Sequence, residues 1–471
     1  MLFTSLQFLI FFPIVCLVYF LIPRLRWQNY FLLIASYYFY MCWNATYALL
    51  LLSSTLVTYF AAIFIERDRS RAKLFLTVSL IINLGILFFF KYYAFAAENV
   101  TCLMSNLGIL LHIPEFKVLL PVGISFYIFQ ALGYSIDVYR GDTKAERNFF
   151  TYALFVSFFP QLVAGPIERS TNLLQQFYTK KCFNGRYAIE GIHLMLWGYF
   201  LKLVVADNSA IYVDAVFANL GAYNGGSALL AAVLFLFTLY GDFAGYTCIA
   251  IGCAKVMGFN LNRNFRYPLF YSVSVQDFWH RWHISLSTWL RDYVYIPLGG
   301  SRRGNRYVNL MITMLISGFW HGASWTYVIC FLIFGFYLVM GVIIKDKQAR
   351  FEHRYDLTSK EWWLWLNRLF TFMLAVLAFT FFRAETVTDA MLCIQKIGTN
   401  LTVPDIRLGL RTILLALVIL FMGEFIMNRF HAYIERGKQS LKAYAMASGL
   451  ILFVIYSLGI FECNQFIYFQ F

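Results

Sequence analysis

Three of the chain's seven histidines fall between Gln276 and His321, in Phe278-Trp279-His280-Arg281-Trp282-His283 and in Gly318-Phe319-Trp320-His321-Gly322. Histidine changes protonation near neutrality, so it can take a proton and return it within one turnover. A hydroxyl is a weak nucleophile until a base does this for it. His321 closes an uncharged run from Leu310 to Trp320. A titratable group at bilayer depth is costly enough to mark a functional site by default. This inventory fits acyl transfer to a hydroxyl, with His321 as general base and His283 binding or orienting the acyl carbonyl. Helical spacing through Trp282 to Leu290 puts His283, Ser287 and Leu290 on one face, with His280 on much the same side. Trp282 and Trp320 directly precede the two histidines, and with Arg281 they are candidates to support them.

A metal centre is the competing chemistry. His280 and His283 stand three apart beside Asp277, and a catalytic zinc needs three protein ligands and an open position. His321 would be the third ligand. Acyl transfer is the preferred reading, with no metal and no tightly bound cofactor expected.

Asp242 lies in Tyr240-Gly241-Asp242-Phe243-Ala244-Gly245-Tyr246, inside a long apolar run. A carboxylate there is expected to orient a histidine or to pair with an arginine. Arg302, Arg303 and Arg306 follow Gly299-Gly300, and Arg281 and Arg291 flank the first histidines. A coenzyme A donor carries phosphates that arginine binds bidentately, although the positive-inside bias of membrane proteins explains the same residues. The tail, Phe466-Ile467-Tyr468-Phe469-Gln470-Phe471, is almost wholly aromatic or apolar. Exposed termini are ordinarily polar and loose, so this one is expected to dock. A plain aromatic plug would serve. The phenol of Tyr468, with its pKa of ~10, would also form an ester between a thioester and an alkyl ester in transfer potential.

The elements that position these groups follow from composition. The chain has 471 residues, 61% hydrophobic and 13% charged, against about 25% charged in soluble proteins. Apolar runs of ~20 residues recur along its length. The expected fold is an all-α integral membrane bundle of about 11–13 segments, forming one domain over residues 1–471, with its core at 240–322 and an aromatic tail at 461–471. The net charge of +14 reads as basic cytoplasmic loops. Nucleic-acid binding is set aside, since no polar domain exists to hold a duplex. Nine cysteines are scattered singly, and Cys248 and Cys253 are expected to pack as small hydrophobes. No small-residue cleavage site follows the first apolar run, which reads as a span and not as a cleavable signal.

Arg24 and Arg26, and the loop from Glu66 to Lys73, agree on one orientation, with both termini external. Leu74–Phe95 reads as a span followed by an external loop over Glu98–Lys117. Phe149–Leu162, with Pro160 and Ala164-Gly165-Pro166, reads as a bent or re-entrant segment lining a cavity, or as a Pro-kinked span. Ile189–Val205 is apolar but carries His193 and Lys202, and Asp207–Gly226 reads as an interfacial connection. Ala384–Arg407 reads as a second external loop. No internal repeat or heptad run is visible.

The run from Asp242 to Gly322 resembles the signature of the membrane-bound O-acyltransferase (MBOAT) family, in its bacterial polysaccharide branch, typified by the alginate O-acetyltransferase membrane subunit. The resemblance covers most of the chain. It implies a helical bundle with re-entrant helices and a central tunnel, and no metal at the histidines. It carries the catalytic role to His321 and a site role to His283; in relatives, arginine often replaces His280. The element around Asp242 resembles Asp-Phe-Ser-Gly-Tyr, but Ala244 replaces the serine and Cys248 stands where some relatives carry aspartate. The tail resembles an aromatic motif whose tyrosine, here Tyr468, carries the acyl group transiently. The resemblance further implies acetyl-CoA as donor, a polysaccharide acceptor, an extracytoplasmic SGNH-hydrolase-like acetyltransferase as partner, and the bacterial inner membrane, with its lipids, as location. Two alternatives stay open: D-alanyl or other acyl transfer to teichoic acid or a lipid, and a transporter or channel with a histidine proton relay.

Overall fold

In a bilayer the backbone has no partner but itself, so apolar sequence must close its hydrogen bonds within helices. The structure, a computed structural model, describes residues 1–111, 113–114, 116, 120–163, 165–405, 409–434, 441–461 and 466–467, and among these every regular element is helical. Among the described residues six helical runs are long and apolar enough to cross a membrane: Tyr47–Arg67, Ala72–Asn106, Gly185–Ala218, Gly225–Val256, Trp325–Arg354 and Glu361–Arg383. Shorter or broken helices take up the remaining apolar sequence. The chain divides into two compact units, one holding Met1–Ile192 and Ile249–Asn262, the other His193–Cys248 and Arg263–Ile467.

The first unit contains α1 (Leu6–Leu21), α2 (Leu25–Met41), α3 (Tyr47–Arg67), α4 (Ala72–Leu87), α5 (Tyr93–Asn106), α6 (Ile124–Arg140), α7 (Phe149–Ser157) and α8 (Phe159–Leu162). A π-helical turn, Phe88–Tyr92, joins α4 to α5. Helix therefore continues through Glu98 to Asn106, where an external loop was expected. Ala94, Ala96, Ala97 and Glu98, all good helix formers, carry the helix onward.

The segment with Pro160 is broken. α7 stops at Phe158, whose ψ of 110° is not helical, and α8 restarts with Pro160 in its first turn. The break frees the Phe155 carbonyl and the Phe159 amide, and both find side-chain partners as buried backbone groups must. The Gln130 and Gln161 amides donate to Phe155 O at 2.6 and 2.9 Å. Phe159 N–H donates to Ser36 Oγ at 3.1 Å. Beyond the break, buried Glu168 accepts from the Asn262 backbone and from the Asn262 and Asn172 side chains.

α9 (Gly185–Tyr199) starts in the first unit and ends in the second. A π-helical turn, Phe200–Ala206, joins it to α10 (Asp207–Ala218). Within the stretch read as an interfacial connection, residues 207–218 are thus helical and continue α9 through the π turn. α11 (Gly225–Val256) packs closely on this run. A Cβ at Gly245 would lie 2.8 Å from Gly198 O and 3.1 Å from Lys202 N, so only glycine permits the approach.

α12 (Val275–Arg281), α13 (Ile284–Leu290), α14 (Arg306–His321), α15 (Trp325–Arg354) and α16 (Glu361–Arg383) follow. α14 and α15 pack directly: a Cβ at Gly318 would stand 3.0 Å from Val328 Cα. The second expected loop contains α17 (Val387–Thr399), started by a reciprocal cap between Thr386 and Asp389. α18 (Leu410–Ile434) and α19 (Leu441–Leu458) complete the unit.

Candidate active site

His283 does not lie within a helix. α12 ends at Arg281, Trp282 is extended, and His283 takes the left-handed conformation, φ 43° and ψ 53°, before α13 begins. The expected continuous face from His280 through His283 to Leu290 is therefore interrupted. His280 stays on α12 and is exposed, whereas His283 is wholly buried. The left-handed region is disfavoured for residues with a Cβ and persists where surrounding contacts over-determine it. Those contacts come from Asn264. Its carbonyl accepts Ile284 N–H at 2.9 Å, and its Oδ1 accepts from Ser285 N–H at 3.3 Å and from Ser285 Oγ. The Asn264 amide donates to Thr247 Oγ1 on α11 at 3.4 Å. One buried asparagine thus ties the start of α13 to α11.

His321 is the last residue of α14 and is 3% exposed. Its ring stacks on Phe331 at 4.5 Å and meets Phe382 edge-on at 5.4 Å. The His283 and His321 ring centroids are 6.2 Å apart, and Trp320 lies 5.4 Å from the one and 4.8 Å from the other. The two imidazoles are therefore brought together and walled by aromatic rings. Trp282 is stacked on Phe278 and in contact with Phe265 and Phe379.

Among the described residues Asp242 pairs with a lysine, where a histidine or an arginine was expected. Its Oδ1 lies 2.7 Å from Lys202 Nζ, which also contacts Asp207 Oδ1 at 2.9 Å, and all three side chains are nearly inaccessible. Its Oδ2 accepts the Ile467 N–H at 2.7 Å. Phe466, fully buried, stacks on Tyr246 at 4.3 Å. Of the tail, Phe466 docks with its ring and Ile467 with its backbone amide. Tyr468 itself lies outside the described residues. Nearby, Tyr240 OH donates to buried Glu424.

The remaining sequence candidates are not gathered here. Arg281 holds Asp277 at 2.9 Å and Pro268 O at 3.0 Å, which fastens α12 to the preceding loop. Ser287 Oγ donates to Trp282 O at 3.3 Å. Arg302, Arg303 and Arg306 are exposed. Among the described residues no three His, Cys, Asp or Glu side chains are grouped to share a metal ion. Sequence reasoning noticed Lys202 as a charge in an apolar run and gave it no partner. The usable signal was a second buried charge of opposite sign at Asp242. It gave no hint of Asn264.

The sequence model of the membrane-bound O-acyltransferase family matches residues 145–383. The chain is 40% identical over 397 residues to the probable alginate O-acetylase AlgI of Pseudomonas putida, covering 82% of this chain and 78% of that one. It is 31% identical over 526 aligned positions to the peptidoglycan O-acetyltransferase of Helicobacter pylori, covering 99% and 97%. A more distant relative, the teichoic acid D-alanyltransferase of Bacillus subtilis, is 27% identical over 57% of this chain and 68% of its own. Both histidines of the buried pair fall within the matched region. The chain therefore belongs to the membrane-bound O-acyltransferase family: it is a multi-pass membrane protein and an acyltransferase.

Proposed function

We propose that this enzyme moves acetyl groups from cytoplasmic acetyl-CoA across the inner membrane for O-acetylation of an extracytoplasmic polysaccharide. The names of the relatives that align along most of the chain support an acetyl group and a polysaccharide acceptor. In this reading His321 removes the phenolic proton of Tyr468, and the phenolate attacks the thioester carbonyl while His283 orients it. The C–S bond breaks, and the coenzyme A thiolate takes the proton back from the His321 imidazolium. A hydroxyl of an external SGNH-hydrolase-like partner then attacks the tyrosyl ester; the phenyl ester C–O bond breaks, the hydroxyl's proton passes to the phenolate to restore Tyr468, and the partner delivers the acetyl group to the polymer. Exposed Arg302, Arg303 and Arg306 are offered to the donor's phosphates. Both termini are external in this arrangement.

The observation that carries the reading is the docking of Phe466 and Ile467. Ile467, one residue before Tyr468, is held by Asp242. Phe243, next to Asp242, lies 4.5 Å from the His283 ring. Acetyl transfer is tested with purified protein in liposomes given radiolabelled acetyl-CoA. Wild type is expected to become labelled and to pass the label to an external acceptor. His321→Ala is expected to do neither. Labelling from a D-alanyl carrier protein but not from acetyl-CoA would favour the teichoic acid alternative, which only the more distant relatives support.

A further inference from the structure

We propose that Lys202 and Asp207 are positioning residues for the transfer reaction. With Asp242 they form a buried charged cradle that holds the chain by its backbone at Ile467. This rests on the reading in which the tail takes part in transfer.

The cradle is built by three separate features of the chain. The first is the π-helical turn Phe200–Ala206. In an α-helix, positions five apart are about 140° apart around the axis. A π turn bonds i to i+5 and brings them onto one side. Lys202 and Asp207 are such a pair, and the Nζ to Oδ1 distance is 2.9 Å. The second is Gly245, whose missing Cβ lets the Lys202 backbone approach α11, where a Cβ would stand 3.1 Å from Lys202 N. The third is Asp242, one turn earlier on α11. Its two oxygens are divided: Oδ1 goes to Lys202 at 2.7 Å, and Oδ2 to the Ile467 amide at 2.7 Å.

The division of labour follows from side-chain chemistry. A lysine ammonium is a point charge on a flexible stem. One carboxylate would suffice to pair it, and the second clamps it from its own helix. Held on Oδ1, the ammonium fixes the Asp242 carboxylate so that Oδ2 is presented as a charge-assisted acceptor. The group that uses this acceptor belongs to the tail, not to another helix. Phe466 sets the register by stacking on Tyr246 at 4.3 Å, and the Ile467 amide fixes the height.

The test uses the full-length protein in detergent, with two readouts. Carboxypeptidase trimming followed by intact mass reports whether the tail is docked. Acetyl-transfer kinetics report kcat and the KM for acetyl-CoA. Lys202→Met, Asp207→Asn and Ile467→Pro are each expected to speed trimming about tenfold or more and to lower kcat with KM unchanged. Lys202→Arg is expected to restore protection and kcat. Should Lys202→Met fail to fold, Asp207→Asn, which leaves a balanced Lys202–Asp242 pair, decides by the same readouts. A tail as protected as in wild type, or a released tail with wild-type kcat, would overturn the proposal. Tyr468→Phe separates the two ideas. Full kcat in that variant removes the carrier reading, while trimming still decides whether the cradle docks the tail.

Discussion

The ring of Phe243 meets that of His283 edge-on, at 4.5 Å and 79°. Phe243 directly follows Asp242, whose carboxylate receives the tail amide. A single turn of α11 therefore fences one imidazole and anchors the C-terminal segment, so a displacement of that turn moves both.

Removing either imidazole should separate proton transfer from carbonyl orientation. His321→Ala is expected to lower kcat by about 10²–10⁴, the usual worth of a positioned base, with little change in the KM for acetyl-CoA. His283→Ala is expected to lower kcat/KM, with part of the loss in KM, because it also touches the bound carbonyl. Steady-state transfer assays on the two variants check both. Wild-type kcat in His321→Ala would exclude it as the base.

The left-handed backbone at residue 283 gives a test independent of catalysis. Asparagine tolerates that conformation and a β-branched residue does not. His283→Asn is expected to unfold near the wild-type temperature, and His283→Val to be less stable than it by about 1–3 kcal/mol. Thermal unfolding followed by fluorescence measures the difference. Equal stabilities would mean that the strain at the α12–α13 break is not stored in this residue.

Two neighbours on α12, His280 and Arg281, should behave differently. His280 is exposed, so His280→Gln is expected to keep most of the activity. Arg281→Ala removes the bonds to Asp277 and to Pro268 O and should destabilise the protein by about 1–3 kcal/mol. Activity and melting temperature of the two variants provide the comparison, and a large activity loss in His280→Gln would return that residue to the site.

Gly318 sets how closely α14 approaches α15. Gly318→Ala would place its Cβ 3.0 Å from Val328 Cα and 3.1 Å from Tyr327 O, both backbone atoms that cannot step aside. Overpacking of this kind costs about 1–3 kcal/mol. His321 is three residues further along α14, so activity should fall along with stability. An unchanged melting temperature would show that the two helices separate freely.

Local chemistry made much of this protein legible. Apolar runs such as Gly225–Val256 and Trp325–Arg354 became long helices because length and hydropathy alone decide that a backbone must satisfy itself in lipid. The aromatic tail read as a docking segment because an apolar terminus has nothing to gain in water, and Phe466 is buried accordingly. His283 and His321 stood out because imidazoles in apolar runs are costly unless used.

Tertiary structure decided the rest. Periodicity from His280 to Leu290 was consistent with one continuous helix. The break at Trp282–His283 depends on Asn264, which reaches the start of α13 through space and has no local signature. Lys202 and Asp242 were each visible as isolated charges, but a pairing across 40 positions is settled by which helices pack and by the π turn and the glycine that let them approach. Sequence spacing records what one helix must bury. Only packing between helices determines which buried charge meets which, and which imidazoles share a wall.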